Sequence, residues 1–312
     1  MRLIDLHCDT ILCCMDDIDN LGLLKNDFNV DIEKLQKANS LAQFFALFVD
    51  LEETKDPLDT CLQMANKFHQ ELEKNKDILK LARSYREVVS NDKEGKISAF
   101  LTVEEGGVLK GNIDNLKLLH NLGVRLITLT WNYPNELGYP NANRKNWGKG
   151  LTSFGKDVVC EMNSLGMLVD VSHLSDEGFY DVVDIASKPF VASHSNARTI
   201  THNYRNLTDE MIKLLGEKGG VTGINFEKSF LGNRDISAVE DMVTHIKHIV
   251  NVGGMEVVAM GTDFDGISQN LEIRNIGEIE KLILSIKKQG FTEGQIDKLL
   301  YKNALRVIKD VL

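Results

Sequence analysis

Residues 3–9 read Leu-Ile-Asp-Leu-His-Cys-Asp, a short apolar run that ends in metal-binding residue types. The run from Leu3 to Leu6 has the length and composition of a buried strand. His7 and Asp9 follow it directly, and side chains two residues apart on a strand point the same way, so both can bind one ion. This combination of a strand with ligand-type residues recurs along the chain, and it decides the fold prediction.

Further apolar runs follow, and segments of helical period separate them. Val239 to Val250 and Asn275 to Gln289 each place apolar residues on one helical face, and Thr292 with Gln295 has the spacing of a capping box. This alternation predicts a parallel sheet with helices packed outside it. The eight runs are Leu3 to Leu6, Ala42 to Val49, Ile97 to Val103, Val124 to Thr130, Met167 to Val171, Phe190 to Ser193, Gly220 to Phe226 and Val257 to Gly261.

Eight strands with crossovers predict a closed (β/α)8 barrel, the TIM barrel. An open doubly wound sheet is the alternative, because a count of runs does not show closure. The first run is not followed by the G-x-G-x-x-G of the dinucleotide-binding form of that open sheet. No Pro-, Gly- or Ser-rich linker divides the chain, so we predict one catalytic domain over residues 1–312.

The charge balance limits the classes of partner. The 46 acidic and 36 basic residues give a net charge of -10, which repels phosphate backbones and anionic lipids, so we expect neither a nucleic-acid nor a membrane partner. Charged residues stand near the N-terminus where a signal peptide needs an apolar run. The five cysteines are irregularly spaced and do not indicate a disulfide framework. We therefore expect a cytoplasmic protein.

Ligand-type residues stand at the ends of five predicted strands. Since the carboxyl ends of parallel barrel strands meet at one rim, we expect these side chains to converge there. A cluster of carboxylates without a cation would be costly. Imidazoles and carboxylates without thiolates suit Zn²⁺ in a hydrolytic site, although Mn²⁺, Fe²⁺ and Co²⁺ accept similar ligands. The residues are His7 and Asp9, Glu104 and Glu105, His173, His194, and Asp263 with Asp265.

Two ions are compatible with this set. Glu104 can bridge them with its two oxygens, which leaves His7 and Asp9 for one ion and the histidines 173 and 194 for the other. A single histidine after a strand is more often a structural residue, and it is the joint occurrence at five strand ends that favours a metal centre. We expect His69, His120, His202, His245 and His248 on the solvated surface, with His202 also near enough to approach a substrate.

The sequence resembles a known family over almost its whole length. It is similar to the membrane dipeptidase (renal dipeptidase) family of zinc peptidases, family M19, in a form typical of bacterial members. The resemblance implies a (β/α)8 barrel of the metal-dependent hydrolase type. The matching segments, in order, are 5–10 (DLHCDT), 42–45 (AQFF), 103–107 (VEEGG), 129–132 (LTWN), 170–173 (DVSH), 193–195 (SHS), 205–206 (RN) and 261–266 (GTDFDG).

The resemblance also implies roles for single residues. His7 and Asp9 would hold the first of two zinc ions per chain, Glu104 would bridge, and His173 and His194 would complete the second site. Asp263 would handle protons as the catalytic carboxylate. Glu105 stands where the family usually has glycine, and it is the second choice for the bridging position. The family's tendency to dimerise implies a homodimer.

Three further positions concern the substrate. Arg205 matches the arginine that the family uses to bind the terminal carboxylate of the substrate. Trp131 stands where many members have a histidine that contacts the substrate, and it is followed by Asn132. We expect both to contact the substrate, and the departure at Trp131 leaves open which group polarises the scissile carbonyl.

Together these features predict a zinc dipeptidase that hydrolyses the amide bond of small dipeptides, L,D-dipeptides included, by a metal-bridged hydroxide. Another binuclear amidohydrolase acting on N-acyl amino acids, lactones or cyclic amides is the alternative, since many substrates share this chemistry. A non-catalytic metal-binding protein is a third reading, and it would be expected to lack a catalytic carboxylate such as Asp263.

Overall fold

A closed barrel of parallel strands forms the centre of the molecule, and a computed structural model describes it over residues 1–312. In chain order the strands are β1 (Leu3–Asp5), β2 (Ser40–Phe48), β3 (Leu79–Leu81), β4 (Ile97–Glu104), β5 (Val124–Thr128), β6 (Leu168–Asp170), β7 (Val191–Ala192), β8 (Val221–Ile224) and β9 (Val258–Met260).

Parallel pairing closes the ring. Around the barrel the strands lie in the order β1, β2, β4, β5, β6, β7, β8, β9, and β9 pairs again with β1. The pairing of β2 with β4 extends from Ala42 opposite Ser98 to Phe48 opposite Glu104. The structure therefore confirms the predicted TIM barrel and excludes the open sheet.

One strand was not predicted. β3 pairs only with the first residues of β4, where Leu79 lies opposite Ile97, whereas β5 pairs with β4 from Leu101 onward. β3 thus adds a short edge at the amino-terminal end of the barrel without being one of the eight strands that close it.

Helices cover the outside of the barrel. The predicted helix from Val239 lies at Val239–Gly253, and the segment predicted from Asn275 is a 3₁₀ turn at Ile276–Glu278 followed by a helix. The helices are α1 (Thr10–Cys13), α2 (Ile32–Lys37), α3 (Pro57–Lys74), α4 (Tyr85–Lys93), α5 (Ile113–Leu122), α6 (Ser153–Leu165), α7 (Asp176–Ile185), α8 (Asp209–Glu217), α9 (Lys228–Leu231), α10 (Val239–Gly253), α11 (Glu280–Lys288), α12 (Glu293–Asp297) and α13 (Asn303–Val311).

The C-terminal helices close the barrel end opposite the predicted site. The capping box of Thr292 and Gln295 is present at the start of α12, which continues through a π-helical turn at Lys298–Lys302 into α13. Side chains of α13, including Val307 and Ile308, pack in one buried cluster with an interior residue from every barrel strand. The interior is therefore a packed core at its amino-terminal end, and only the carboxyl-terminal rim is open for a site.

Two observations bear on the expected surroundings of the protein. None of the helices combines the length and the apolar character needed to cross a lipid bilayer. All five cysteines are free.

Candidate active site

Glu104, the last residue of β4, lies at the centre of the predicted cluster. Its Oε2 is 3.2 Å from Nε2 of His7, and its Oε1 is 3.0 Å from Nε2 of His173 and 3.5 Å from Nε2 of His194. One oxygen of the carboxylate thus faces the imidazole of His7, and the other faces the imidazoles of His173 and His194. This is the arrangement expected of a carboxylate that bridges two ions.

Two more carboxylates surround His7. Its Nε2 lies 3.4 Å from Oδ2 of Asp9 and 3.7 Å from Oδ1 of Asp263. Three sets of residues could each hold a metal ion, because the potential ligand atoms within each set all lie within 4.8 Å of one another. They are His7 with Asp9 and Glu104, Glu104 with His173 and His194, and His7 with His194 and Asp263. The structure thus brings together all five predicted metal ligands, His7, Asp9, Glu104, His173 and His194, which we call the ligand cluster. It also places Asp263 beside them.

The cluster is deficient in positive charge. Burial raises the pKa of Asp9 and of Asp263, and the negative charge of Glu104 raises both further. Burial opposes protonation of His7, but the carboxylates of Glu104 and Asp9 raise the pKa of His7 well above its usual value. Carboxylates that share a buried site without a cation are costly, and a divalent ion would supply the missing charge.

Unpartnered polar atoms test whether the residues fit a metal. Nδ1 and Nε2 of His7 and Oδ1 of Asp9 are buried and have no hydrogen-bond partner. Buried polar atoms are normally paired, so each such atom requires an explanation. Imidazole nitrogens and carboxylate oxygens are the ligands that zinc accepts in hydrolytic sites. The donor set therefore fits divalent ions of this kind.

Hydrogen bonds orient the two other imidazoles. Oγ of Ser193 donates to Oδ2 of Asp170 at 2.6 Å and lies 2.7 Å from Nδ1 of His194, so Nδ1 of His194 carries the hydrogen that it donates to Ser193. Nδ1 of His173 lies 3.2 Å from Oδ1 of Asn132, which can only accept. Both histidines therefore direct an unprotonated Nε2 toward Glu104, as a metal ligand requires.

The turns after the strands hold several of these residues in an unusual backbone conformation. His173, Asp263 and Asp265 have φ values of 68°, 61° and 72°, in the left-handed region. Such residues persist only where the surroundings hold them. Asp265 accepts hydrogen bonds from Oγ1 of Thr10 at 2.5 Å and from the backbone N–H of Asn29 at 2.6 Å. These contacts fix the turn that carries Asp263.

A glycine, Gly266, ends the same turn and lies against Asp9. A Cβ on Gly266 would collide with Oδ2 of Asp9. The absence of a side chain at Gly266 thus allows the turn after β9 to lie close to Asp9, one of the proposed metal ligands.

Glu105, the second choice for the bridging position, faces away from the cluster. Its buried carboxylate accepts hydrogen bonds from the backbone N–H of Gly107 at 2.6 Å and of Trp131 at 2.9 Å, and from the side-chain amide of Asn135. Burial raises the pKa of Glu105 to about 7, against the effect of these hydrogen bonds. The adjacent glutamates thus differ in role, and only Glu104 contacts the imidazoles.

A cavity of about 380 Å³ opens above the cluster. Asp9, Glu104, His173 and Asp263 line its floor, while His7 and His194 lie beneath and are fully buried. The three residues expected to contact substrate, Arg205, Trp131 and Asn132, also line it. Asp265, which was predicted at the same strand end as Asp263, lines it as well. The remaining lining residues were not predicted, and they are Leu12, Phe48, Tyr204, Glu227, Phe230, Gly266, Ile267 and Ser268.

Arg205 is a buried cation without a partner. Only 3% of its surface is exposed, and none of its three guanidinium nitrogens makes a hydrogen bond. The guanidinium carbon lies 5.3 Å from the centre of the Phe230 ring. A buried charge that the chain leaves unpaired is expected to bind an anionic group of a ligand.

Two aspartates beneath the site belong to the matching segments but were given no role from the sequence. Asp5 accepts from the backbone N–H and from the hydroxyl of Thr262, both at 2.8 Å, and thereby anchors the residue before Asp263. Asp170 accepts from the hydroxyls of Thr128 and Ser193. The signal was present in the sequence, because each is a charged residue inside an otherwise apolar strand.

The surface prediction was wrong for His245. This residue is fully buried on the inner face of α10, where its Nδ1 accepts from the backbone N–H of Ala197 at 3.1 Å and its Nε2 lies 3.0 Å from the carbonyl oxygen of Leu231. It joins the loops that follow β7 and β8. His202, in contrast, is exposed and does not line the cavity.

With this geometry established, comparison with known proteins identifies the family. The sequence profile of the membrane dipeptidase family, peptidase family M19, matches residues 1–312. The chain belongs to this family. It is therefore a hydrolase of the metallo-dipeptidase class, as the family resemblance predicted.

Individual proteins are similar to the chain in sequence or in fold. The chain is 34% identical over 267 residues to an uncharacterized protein in the pqqA 5' region of Klebsiella pneumoniae, with 82% of this chain and 97% of that protein covered. It superposes on the crystal structure of dipeptidase AC, an M19 metallopeptidase, with a TM-score of 0.93 and 26% identity, covering 100% and 98% of the two chains.

A further solved structure contains a ligand. A metallopeptidase from Rhodobacter sphaeroides, crystallised with a phosphinate mimic of the dipeptide L-Ala-D-Ala, superposes with a TM-score of 0.92 and 25% identity, covering 100% of this chain and 99% of that one. A metallopeptidase that is similar in structure to this chain thus binds a dipeptide mimic.

Proposed function

We propose that this metallo-dipeptidase is a binuclear zinc enzyme with two ions per chain. His7, Asp9 and Glu104 would hold one ion, and Glu104, His173 and His194 the other. The division of the Glu104 oxygens between His7 and His173 supports this assignment. Asp263 lies beside these ligands and is not assigned to either ion. Its Oδ2 accepts a hydrogen bond from the side-chain amide of Asn225 at 2.8 Å, and its Oδ1 is the oxygen that faces His7.

The unpaired guanidinium of Arg205 is the single observation that carries the choice of substrate. A dipeptide has a free carboxylate within one residue of its scissile bond, and Arg205 lines the same cavity as the ligand cluster. Arginine binds a carboxylate through two parallel, charge-assisted hydrogen bonds. Binding at this position would set the length of the substrate and favour dipeptides over longer peptides.

Asp263 would then act on the amide together with the bound ions. When bound, the zinc ions supply a water of lowered pKa, the source of the hydroxide nucleophile, and a positive charge at the scissile carbonyl. Asp263 would accept the proton of this water and deliver it to the leaving amine. Its carboxylate is mostly buried, with 9% exposed, and lies 3.7 Å from Nε2 of the proposed ligand His7, within reach of a water held between the ions.

Asn132 is our candidate for the donor that replaces the missing histidine. Its Oδ1 accepts from His173, so its Nδ2 is directed elsewhere and makes no hydrogen bond within the chain. We propose that Nδ2 of Asn132 donates to the substrate at the cavity surface, while the indole of Trp131 shapes the pocket beside it.

The stereochemistry of the substrate follows from the relative with the bound mimic. We propose that L,D-dipeptides are accepted along with L,L-dipeptides, as the L-Ala-D-Ala mimic in the Rhodobacter sphaeroides enzyme supports. N-acyl amino acids are the second candidate class, since they also offer a carboxylate to Arg205. Lactones are disfavoured, because a lactone would leave the buried guanidinium unpaired.

The test is a substrate panel with zinc-loaded enzyme. It contains Ala-Ala dipeptides of L,L and L,D configuration, their carboxyl-amidated forms, N-acetyl-alanine and a simple γ-lactone. We expect hydrolysis of at least one dipeptide configuration with kcat/KM at least about 30-fold above that of its amide, since an unpaired buried charge of this kind costs about 2–5 kcal/mol. Faster hydrolysis of the lactone or of N-acetyl-alanine would overturn the dipeptidase proposal.

Three further proposals concern the whole molecule. We propose that residues 1–312 act as one catalytic domain, which is supported by the pairing of β1 with β9 from opposite ends of the chain. The homodimer is the assembly that the family resemblance implies, and sedimentation of the purified protein tests it. The cytoplasmic location stays a prediction that fractionation of expressing cells can test.

A further inference from the structure

The cavity has two chemically different sides. In the ring of eight strands, β7 and β2 are separated by four positions in either direction, so they lie opposite each other. Arg205 belongs to the loop after β7, and Phe48 is the last residue of β2. The cation and the phenyl ring therefore face the cavity from opposite sides, with the ligand cluster between them.

The side opposite Arg205 is apolar. Phe48, Trp131 and Leu12 line it, and we call these three residues the apolar wall. The rings of Phe48 and Trp131 meet edge to face, with centroids 4.7 Å apart. The Trp131 ring is also 6.2 Å from the ring of His173. The wall thus begins directly beside the ligand cluster, and none of its three side chains carries a charge.

The backbone holds the wall in place. Phe48 pairs in register with Glu104, so the ring and the bridging carboxylate leave neighbouring strands at the same level. The backbone N–H of Trp131 donates to Glu105, whose carboxylate is also bound by Gly107. Glu105 itself has a φ of 94°, a conformation that an L-residue adopts only where its surroundings hold it. The two positions at which the sequence departs from the family pattern, Glu105 and Trp131, are therefore linked by one hydrogen bond.

A dipeptide bound as proposed can lie in the cavity in only one direction. If its carboxylate pairs with Arg205 and its amide lies over the ligand cluster, the residue that bears the amino group extends beyond the cluster, toward β1, β2 and β5. The apolar wall occupies that side. A charged side chain that packs against these three residues would lose hydration without a counter-ion among them, whereas an apolar one would gain from burial.

We propose, on the basis of the dipeptidase function above, that the apolar wall receives the side chain of the amino-terminal residue, and that the enzyme prefers dipeptides in which this residue is apolar. Each methylene buried there raises kcat/KM roughly fourfold, the factor that corresponds to the burial of one CH₂. Between glycine and leucine at this position the preference reaches on the order of 100-fold.

The first experiment uses the wild-type enzyme loaded with zinc. It measures kcat/KM for dipeptides Xaa-Ala with Xaa being Gly, Ala, Val, Leu, Phe, Lys or Glu, with the alanine in whichever configuration is hydrolysed faster. We expect a rise from Gly to Leu and Phe, and low values for Lys and Glu. A flat series, or a preference for Lys or Glu, overturns the proposal.

The second experiment assigns the preference to the wall. Trp131→Ala and Phe48→Ala should reduce the preference for Leu over Gly in the Xaa-Ala series to below about tenfold. The order of preference in the reciprocal Ala-Xaa series, which concerns the residue next to Arg205, should stay as in wild type. Trp131→Phe and Phe48→Leu retain apolar volume and should keep most of the preference, which separates lost contact from lost folding. An unchanged preference for Leu over Gly in both alanine variants overturns the assignment.

The outcomes distinguish this proposal from the one on which it rests. If the zinc-loaded enzyme hydrolyses no dipeptide, the proposed function fails and the preference fails with it. If it hydrolyses dipeptides without regard to the amino-terminal side chain, only the role of the apolar wall is disproved.

Discussion

The side-chain amide of Asn225 donates a hydrogen bond of 2.8 Å to Oδ2 of Asp263. The amide cannot turn around, because its own Oδ1 accepts from the backbone N–H of Glu227 at 2.7 Å. Oδ2 of Asp263 is therefore always occupied by a donor, and Oδ1 is the oxygen left facing the ligand cluster. The position of the proposed proton acceptor is thus fixed by a residue at the end of β8.

Replacement of Asp263 by asparagine should separate catalysis from metal binding. The amide oxygen can still accept from Asn225, so the side chain keeps its place, but it can no longer accept a proton. We expect kcat to fall by at least 100-fold, the usual contribution of a general base, while zinc content stays as in wild type. Steady-state kinetics and metal analysis of the same sample measure both, and a kcat near that of wild type would remove Asp263 from the mechanism.

Loss of the guanidinium of Arg205 should affect only substrates with a free carboxylate. For Arg205→Ala we expect kcat/KM for dipeptides to decrease on the order of 100-fold, because the carboxylate loses a buried charged partner. Activity toward carboxyl-amidated dipeptides should change little. Arg274→Ala, which removes an exposed arginine paired with Glu278, is the matched control. An equal loss on free and amidated substrates would contradict carboxylate binding by Arg205.

The histidine assignments can be tested without a substrate. His173→Ala removes one of three proposed ligands of one ion, so we expect its zinc content to fall from about two per chain toward about one. His202→Ala is the control, since His202 is an exposed histidine outside the cavity. Full occupancy in the His173 variant, measured by elemental analysis after dialysis, would disprove its role as a ligand.

The hydrogen bond behind His194 should tune metal affinity. Ser193→Ala removes the group that connects Nδ1 of His194 to Asp170, and substitutions of this kind weaken metal binding by about 10- to 100-fold. Competition with a chelator measures the change. Ser237→Ala, at a buried serine whose hydroxyl has no partner, should leave the affinity unaltered. If both variants bind zinc equally well, Ser193 does not support the ligand.

Much of the fold was readable from the sequence because the barrel strands are buried on both sides. Continuous apolar runs mark such strands, and all eight predicted runs coincide with barrel strands. The sequence did not predict β3, because Leu79–Leu81 has the sequence Leu-Lys-Leu and pairs with only the first three residues of β4. The strands β1, β6 and β9 are equally short but fully buried, whereas two of the three residues of β3 are only partly buried, so β3 lacks the two-sided burial that marks the others.

The site was predictable to the extent that it lies at strand ends. His7, Glu104, His173, His194 and Asp263 follow or end strands, and barrel closure brings them together. The opposite walls of the cavity could not be read in this way, because Phe48 and Arg205 become neighbours of the cluster only through the order of strands around the ring. His245 was misassigned although its spacing from Met242 and Ile249 places it on the buried face of α10. A polar residue on an apolar face was the signal.

The central claim is that side chains from five strand ends form a cage for two cations. Titration of the metal-free wild-type protein with zinc, followed by calorimetry, tests it most directly. We expect saturation at two ions per chain, and saturation at no more than one ion in Glu104→Gln, in which the bridging carboxylate is lost. A wild-type protein that takes up no zinc, or a Glu104 variant that still binds two ions with unchanged affinity, would contradict the account.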